Sequence, residues 1–354
     1  MKLVGISTCA AGAASAAIVL AGIGPSATPG ASGPVGGPCD RVASKTGSDA
    51  RGDGTLSRPY RTPQRLIGSL SPGQTGCLRR GLYGTRGRFT IRTSEVTLRS
   101  YPGERATLRG NLWILGDGTT VRELNLDGSC PIRNRCAVPS SVPSPLVNAR
   151  SVLLLDDDIT NRHTGICVSA TTYRGVSPDL LIVQGNRIHD CGRLPPTNHQ
   201  HGIYLVSGVG AVVADNLVYR NADRGIQLFP SVVGARIYGN TIDGNGEGVI
   251  VSNTSSVNQF TANIISNSTV AWNVEWNSLS GMANAITGNC LYATNRRPYY
   301  NRDGGVQVEE RDKVLIAANQ VANPGYANPG AGDYRLSSSS PCLGRGAPDQ
   351  VAAP

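Results

Sequence analysis

The sequence predicts an all-β fold, a single-stranded solenoid of short parallel strands, and two observations carry this prediction. A phrase recurs as Gly202–Leu205 (GIYL), Gly225–Leu228 (GIQL) and Gly248–Val251 (GVIV), with starts 23 residues apart (225 − 202 and 248 − 225). Between the phrases lie short β-branched runs that alternate with polar residues and end at Gly or Asn, which is typical of strands joined by tight turns. Self-similarity at a fixed period of this length indicates stacked repeats.

A second repeated position is an Asn or Asp that precedes one strand of each period. From residue 148 onward it is filled by Asp157, Asn186, Asn216, Asn240, Asn263, Asn289 and Asn319. Parallel strands place equivalent residues about 4.8 Å apart, so these side chains can hydrogen-bond along a column in a corner of the coil. We interpret the column as structural. The side chain of Asp157 points inward into this column, which leaves Asp156 and Asp158 as surface residues. The sequence does not identify a cofactor, and calcium is the possible ion.

Composition and charge favour an acidic partner. The chain has 354 residues, 33 Lys and Arg against 24 Asp and Glu, and a formal net charge of +9. Nearly all the cations are Arg, whose planar side chain pairs with carboxylates and phosphates. We therefore expect an acidic polysaccharide, with simple solubility as the alternative. The sequence has no basic run and no interleaving of basic and aromatic residues, which argues against nucleic acid.

The ends of the chain predict export. Residues 1–27 have the positive start, apolar stretch and small-residue end of a signal peptide, and 28–38 form a Pro/Gly/Ser linker. We predict a β-helix domain over 39–342, a tail over 343–354, and a secreted monomer with no membrane contact after cleavage. Thr62 and Pro63 are suited to start a helix whose apolar face, Leu66, Ile67 and Leu70, caps the first coil.

Eight cysteines follow the leader: Cys39, Cys77, Cys130, Cys136, Cys167, Cys191, Cys290 and Cys342. After an export signal, this even number predicts four disulfides, and no spacing is that of a zinc site. Cys130 with Cys136 would close a small loop. Aligning Gly165 with Gly202 makes Cys167 face outward, where it would bond Cys191. Cys290 with Cys342 would hold a C-terminal flap over residues 323–342.

Several phrases of the chain resemble those of a known superfamily: Asn161–Cys167, Asn186–Pro195, His201–Leu205, Arg224–Leu228, Ile242–Ile250 and Asp333–Cys342. From about residue 39 to the end, the chain is similar to the secreted actinobacterial β-helix repeat proteins of the pectate-lyase-like superfamily. This resemblance implies a right-handed parallel β-helix. The superfamily includes uronate lyases, C5-epimerases, polygalacturonases and non-catalytic adhesins, and the fold does not decide among these activities. The tetrad motif of alginate epimerases and the paired aspartates of polygalacturonases are not recognisable here.

All four histidines fall within 39 residues, next to an insertion at 191–198. The repeat alignment predicts one face that carries His163, His199, His201, Asp223, Arg224 and Glu247. Such convergent titratable groups are the usual mark of a site, although a corner histidine can also be purely structural. A separate column, three residues after the Asn position, reads Thr160, His189, Tyr219 and Asp243. We assign His163, His189 and Gln227 to substrate binding.

Removal of the C5 proton of a uronate needs a base, a cation over the carboxylate and an acid. We predict His199 or His201 as base, Tyr204 or Tyr219 as acid and Arg224 as the cation, in a lyase or C5-epimerase. One alternative is a glycoside hydrolase that uses Asp223 and Glu247. Another is a non-catalytic carbohydrate- or wall-binding protein. No metal site is predicted from the histidines.

Overall fold

The protein folds as a parallel β-helix. The structure is a computed structural model that describes residues 39–130, 135–139, 141–277, 281–308 and 314–348. The signal peptide and linker predicted for 1–38 lie outside the described residues, as does the end of the predicted tail. The described part holds no helix that is long and apolar enough to cross a membrane. Nearly every strand pairs in parallel with its equivalent in the next coil.

Each coil contributes strands to as many as three sheets. The first sheet has eleven strands: Arg41–Ala43, Thr75–Leu78, Thr97–Ser100, Thr120–Arg122, Leu153–Leu155, Ile182–Gln184, Val212–Ala214, Arg236–Tyr238, Gln259–Thr261, Asn284–Thr287 and Val314–Ala317.

The second and third sheets are joined by two long strands, Gly81–Ile91 and Ala106–Ile114, which continue through the corner between them. The second sheet continues as Leu124–Asp127, Asp158–Thr160, Arg187–His189, Leu217–Tyr219, Thr241–Asp243, Ile264–Ser266, Cys290–Tyr292 and Gln320–Val321. The third continues as Leu146–Val147, Val168–Ala170, Ile203–Val209, Arg224–Val233, Glu247–Ser252, Val274–Asn277 and Val306–Val308.

The interior of the coil is a stack of aliphatic side chains. In the third sheet, Ile203 pairs with Ile226, Ile226 with Val249, Val249 with Val274 and Val274 with Val306. All five are buried, as the period-2 alternation predicts. The repeated phrase therefore supplies one core residue per coil, and stacking these residues buries a continuous apolar column.

The Asn column predicted from the sequence is confirmed between the first and second sheets. In Asn216, Oδ1 accepts from the backbone N of Asn186 (2.9 Å) and from its Nδ2 (3.0 Å), and Nδ2 donates to Val183 O (2.9 Å) and Asn240 Oδ1 (2.9 Å). The pattern continues through Asn263, Asn289 and Asn319. Each side chain thus hydrogen-bonds to backbone groups at the corner that have no partner within the sheets.

Two shorter columns were not predicted. Asn221 donates to Asn245 Oδ1 (2.8 Å) between the second and third sheets. Asn258 donates to Asn284 Oδ1 (3.0 Å) between the third and first sheets. Every corner of the coil therefore has a segment in which amide side chains replace missing backbone partners.

The predicted N-terminal cap is present as a short helix, Pro63–Ile67. Thr62 accepts a hydrogen bond from Arg65 N (3.2 Å), and Pro63 lies in the first turn. Leu66 and Leu70 are buried against Gly76 of the first sheet, where an added Cβ would lie 3.0 Å from a Leu70 methyl carbon. The helix covers the start of the coil and protects its first strands from edge-to-edge pairing.

The four disulfides join Cys39–Cys77, Cys130–Cys136, Cys167–Cys191 and Cys290–Cys342, so the three predicted pairings are confirmed. One part of the underlying alignment was wrong. Val168 pairs with Ile203, which places Cys167 opposite Gly202, the position assigned to Gly165. Cys167 is fully buried instead of facing outward. The two-residue error arose because the turn after Asn161 is longer than those that follow Asn221 and Asn245.

The predicted C-terminal flap, residues 323–342, folds back over the second sheet. Its antiparallel strands Tyr326–Asn328 and Asp333–Leu336 flank a 3₁₀ turn. Tyr334 packs on Tyr219 (ring centroids 5.2 Å apart), and Cys342 lies against Ile264. Beyond the flap, Ala347 N donates to Thr241 Oγ1 (3.0 Å). The flap therefore buries the outer surface of several second-sheet strands and leaves the earlier strands uncovered.

Candidate functional site

The uncovered part of the second sheet forms a polar groove with a volume of about 740 Å³. Two outward columns of side chains make its floor, because alternate residues of each strand point away from the core. The groove is lined by Leu82, Thr107, Arg109, Asn125, Leu126, Asp127, Asp158, Thr160, Arg162, His163, His189 and Asp190. Its volume falls in the range of about 300–1,000 Å³ that is usual for ligand sites.

One wall of the groove is built around Asp127. Its Oδ2 accepts from Nε of Arg109 and from Nε of Arg162, each at 2.8 Å, and Oδ1 accepts from Ser129 N (3.0 Å). Burial alone would raise the pKa of Asp127, but the bonds from Ser129 and Arg162 outweigh it and lower the pKa. Asp127 is therefore ionised and holds two guanidinium groups at the groove surface.

His189 stands at the centre of the groove floor between two carboxylates. Its Nδ1 donates to Asp190 Oδ2 (2.7 Å) and its Nε2 to Asp158 Oδ1 (3.2 Å). Burial would lower the pKa of His189, but these two partners reverse the effect and raise it. Because ionised carboxylates only accept hydrogen bonds, both ring nitrogens carry protons and His189 is an imidazolium.

His163 reaches the same carboxylate from the corner of the preceding coil. Its Nε2 lies 3.5 Å from Asp190 Oδ1, and Nδ1 lies 3.1 Å from Gly192 O. A carbonyl only accepts, so Nδ1 carries a proton and Nε2 is the position that gains or loses one. The contact with Asp190 raises the pKa of His163 despite partial burial.

Asp190 also accepts from both Nε and Nη2 of Arg220, each at 3.1 Å. Burial would raise the pKa of Asp190, but the bonds from His163, His189 and Arg220 hold it well below its ordinary value. Cations therefore outnumber carboxylates in and directly around the groove. The cations are Arg109, Arg162, Arg187, Arg220, His163 and His189, and the carboxylates are Asp127, Asp158 and Asp190.

Tyr219 closes the groove floor toward the flap. Its ring stacks on His189 with centroids 5.0 Å apart and planes 14° apart, and its hydroxyl accepts from Arg187 Nη2 (2.6 Å). Burial raises the pKa of Tyr219. Gly332, at the tip of the flap, packs directly on Arg187 and Tyr219, where a Cβ would lie 3.1 Å from Arg187 Nη2. The flap thus ends the groove at this coil.

A second polar cluster lies where the third sheet begins. Arg224 donates through Nε to Glu247 Oε2 (2.9 Å) and through Nη1 to Asn198 O (2.6 Å). His201 is 2% exposed and meets Tyr204 edge to face, with ring centroids 5.1 Å apart. Burial and the neighbouring Arg224 lower the pKa of His201 to about 3. The imidazole of His201 is therefore neutral and shielded from solvent.

Glu247 behaves differently from the groove carboxylates. Burial raises its pKa, the Arg224 guanidinium opposes this, and Glu275 adds to the rise, to a pKa of about 7. His201 and Gln227 are both buried in this cluster, and the Gln227 side chain is a polar neighbour of the His201 ring. The His201 part of the cluster is therefore shielded, whereas the groove is open.

Asp223 anchors the insertion. Its Oδ1 accepts from the backbone N of Thr197 and Asn198, and its Oδ2 accepts from the backbone N of His199 and Gln200, at 2.7–3.0 Å. The Thr197 hydroxyl also donates to Oδ2 (3.2 Å). A carboxylate with both oxygens engaged in this way fixes a loop, as a capping residue fixes a helix start.

The structure therefore divides the predicted site residues between two places. His163 and His189 line the groove, and Tyr219 lies at its end. His201, Tyr204, Arg224, Gln227 and Glu247 form the third-sheet cluster, with Asp223 beside it, while the His199 side chain is exposed on the loop. The expectation that His163 shares a face with His201 was wrong, because the register places Ile166 nearest to His201. The catalytic roles predicted for the third-sheet residues stay predictions.

Sequence reasoning missed most of the groove: Arg109, Asp127, Asp158, Arg162 and Asp190. One signal for Asp158 and Arg187 was present. Each residue directly follows the Asn position of its coil. Aligning the residues that follow this position would have placed Asp158 beside Arg187, and the two are paired in the sheet. Arg109 and Asp127 also pair across strands, but their coils precede the region in which the repeat can be aligned.

Among the described residues, no group of three or more His, Cys, Asp or Glu side chains is placed to hold an ion. The eight described cysteines are in disulfides. Asp127 and Asp158 are engaged by guanidinium and imidazolium groups, which compete with a cation such as calcium.

Comparisons with known proteins agree with the fold. Residues 145–299, fewer than half of the chain, match the family described as periplasmic copper-binding protein (NosD). No curated protein matches the sequence. Pectate lyase Pel9A is similar in structure, with a TM-score of 0.57 and 13% identity over 87% of this chain and 92% of that chain.

Two further structures are more distant. XylC with xylose has a TM-score of 0.49 and 12% identity over 81% of this chain and 87% of that chain. The periplasmic alginate epimerase AlgG has a TM-score of 0.39 and 13% identity over 75% of this chain and 84% of that chain. The similarity to pectate lyase Pel9A shows the same fold that the strand pairing shows, the parallel β-helix that the sequence predicts.

Proposed function

We propose that this protein is a secreted β-helix protein that binds an acidic polysaccharide in the second-sheet groove and transfers protons at C5 of its uronate residues. The reaction is β-elimination or C5-epimerisation. One observation carries the proposal: His163 and His189 share Asp190 on an open, cation-rich groove floor. Both are titratable near neutral pH, and both are within reach of a ligand that lies along the groove.

The excess of cations supports an anionic ligand. Arg109 and Arg162 both hold Asp127, and the side chain of Arg162 is 61% exposed. A uronate carboxylate that enters the groove can take a free edge of this guanidinium while Asp127 keeps its other contacts. Neutralising the carboxylate in this way lowers the cost of forming the enolate at C5.

The two histidines can divide the proton transfer. Nε2 of His163 takes the C5 proton, since Nδ1 is already committed to Gly192 O. In β-elimination His189 gives a proton from Nε2, the more weakly held of its two N–H groups, to the O4 oxygen as the C4–O4 bond breaks, which leaves an unsaturated sugar. In epimerisation the proton returns to C5 from water on the open side of the groove, opposite the histidines, which inverts the centre. These roles differ from those predicted for His199 and His201, because His201 is buried away from the groove and His199 lies on the exposed loop.

Removal of the C5 proton is common to both reactions, and its outcome gives the direct test. Pectate, alginate, heparinoids and hyaluronan are incubated with the protein in D₂O. Deuterium at C5, which epimerisation leaves, is followed by NMR, and the unsaturated product of β-elimination by its ultraviolet absorbance. We expect one of these two products with at least one polymer and its loss in His163→Asn. His199→Asn, on the exposed loop, is the matched control and keeps the activity.

The alternatives are separated by the same experiment. Binding of a uronate polymer without either product would show a non-catalytic binding protein. The proposal would be contradicted if the protein gives neither product with any of the four polymers and also binds none of them. A glycoside hydrolase based on Asp223 and Glu247 has less support, because the backbone of the insertion occupies both oxygens of Asp223.

The proposed location is outside the cytoplasm. Four disulfides in one chain form and persist in oxidising compartments and are rare in the cytosol. This supports export and agrees with an extracellular or wall-associated polymer as the ligand.

A further inference from the structure

A second cavity lies at the corner between the second and third sheets. It has a volume of about 360 Å³ and shares no lining residue with the groove. One side is the insertion, Pro196–Asn198, and the other is Arg297 and Tyr300. Its base is made by corner residues of two successive coils, including Glu247 and Val270. We refer to it as the corner cavity.

An aromatic cluster supports the wall at Tyr300. The Tyr300 ring meets the edge of Trp272 with centroids 4.6 Å apart, and Tyr299 lies 5.1 Å from the same indole. Trp272 is 8% exposed, whereas Tyr299 is 57% exposed. The buried indole therefore holds two tyrosine rings in place at the surface. Rigid aromatic rings of this kind offer large contact area with little loss of side-chain entropy on binding.

Polar groups converge on the same cavity from fixed positions. Glu247 is 8% exposed and held by Arg224, whose guanidinium also binds Asn198 O. Asn198 and Thr197 are held by Asp223 through their backbone N–H groups. The insertion and the corner are thus joined by one buried ionic network. A few fixed polar groups beside an aromatic surface are the usual construction of a small-ligand site.

We propose that the corner cavity is a second saccharide site, which takes one neutral pyranose unit against Tyr300, with its hydroxyls toward Glu247 and Asn198. The two carboxylates at the cavity, Asp223 and Glu247, are balanced by two guanidinium groups, those of Arg297 and of Arg224, which binds Glu247, so the cavity lacks the excess of cations found in the groove. The groove and the corner cavity would then bind different parts of a mixed polymer, or a polymer and its neutral side chains.

The test uses a neutral panel: cellotriose, xylotriose, mannotriose and chitotriose. Binding is measured by calorimetry and by intrinsic fluorescence, to which Trp272 contributes. We expect at least one trisaccharide to bind, and Tyr300→Ala to weaken that binding at least tenfold. Glu247→Gln, which keeps the side-chain shape, provides a second variant at the opposite wall and should also weaken binding. Tyr238→Ala, at an exposed tyrosine of the first sheet, is the control and should have no effect.

Two results would overturn the proposal: no neutral trisaccharide binds at millimolar concentration, or binding is the same in wild type, Tyr300→Ala and Glu247→Gln. The groove variant His189→Asn separates the two sites. It should weaken binding of uronate oligosaccharides at least tenfold and leave binding of the neutral trisaccharide unchanged. Loss of both activities in His189→Asn would assign both ligands to the groove and exclude the corner cavity.

Discussion

The imidazole of His189 lies 2.7 Å from the carboxylate of Asp190, and the same carboxylate reaches His163 on the preceding coil. The contact joins Asp190, at the end of a second-sheet strand, to His163, at a corner of the preceding coil. It also makes the protonation of two histidines depend on one carboxylate. Because stacked coils fix the spacing of their strands, the fold holds the two imidazoles at the groove without a separate supporting element.

Replacing His189 by Asn tests the groove floor. The variant loses a cation and leaves Asp158 and Asp190 with fewer partners, so the groove becomes more negative. We expect affinity for uronate oligosaccharides to fall at least tenfold, which is about 1.4 kcal/mol. Calorimetry with tri-galacturonate measures it, and His199→Asn is the control. Equal affinities for the two variants would contradict the assignment.

Binding should depend on pH through the two groove histidines. Both have a pKa raised above the ordinary 6.5 by their carboxylate partners. Their charged forms are complete below pH 6.5 and are lost as the pH rises through the folded-state pKa values. Affinity for anionic oligosaccharides should therefore decline on that rise, and so should the histidine contribution to the free energy of unfolding.

This pH dependence is measured by calorimetry with tri-galacturonate from about pH 6 to about pH 9. The double variant His163→Asn, His189→Asn provides the reference and should show a flat profile over the same range. A decline of equal size in the double variant would assign the effect to other groups.

The Asn column should be a large source of stability and irrelevant to binding. Asn216→Ala takes the amide partner away from Asn186 N and Val183 O, while Asn186 Nδ2 keeps its bond to Leu154 O and Asn240 Oδ1 keeps its bond from the backbone N of residue 216. Each orphaned buried group costs about 1–3 kcal/mol, so we expect the free energy of unfolding to fall by at least about 2 kcal/mol. Urea unfolding measures it, with Gln259→Ala on an exposed strand position as control. A loss no greater than that of the control would contradict the structural role.

The flap should depend on its disulfide. Cys290 and Cys342 are 52 residues apart, and their bond ties the flap to the second sheet. Replacing both by Ser should cost about 2–5 kcal/mol and speed hydrogen exchange in Tyr326–Asn328 and Asp333–Leu336. The matched control is the Cys130 and Cys136 pair, only 6 residues apart, whose loss releases a shorter loop. Unchanged exchange in the flap would show that tyrosine packing alone holds it.

The sequence predicted the features that repeat and missed those that break the repeat. Asn216 and Ile226 are placed by strict spacing and period-2 alternation, so the column and the core followed directly from them. Asp190 and His163 have φ of 53° and 57°, in the left-handed region, immediately outside regular strands. Alternation does not apply at such corners, so the direction of their side chains could not be read from the pattern. Cys167 was misplaced because the longer turn before it shifts the register by two residues.

The four histidines allow one measurement that tests the central claim directly, because two line the groove and two do not. Imidazole NMR signals are recorded for ¹⁵N-labelled protein during titration with tri-galacturonate and tri-mannuronate, and with xylotriose as a neutral reference. The account predicts that His163 and His189 shift with at least one uronate, while His199 and His201 keep their signals. Shifts of His199 or His201, with His163 and His189 unchanged, would contradict it.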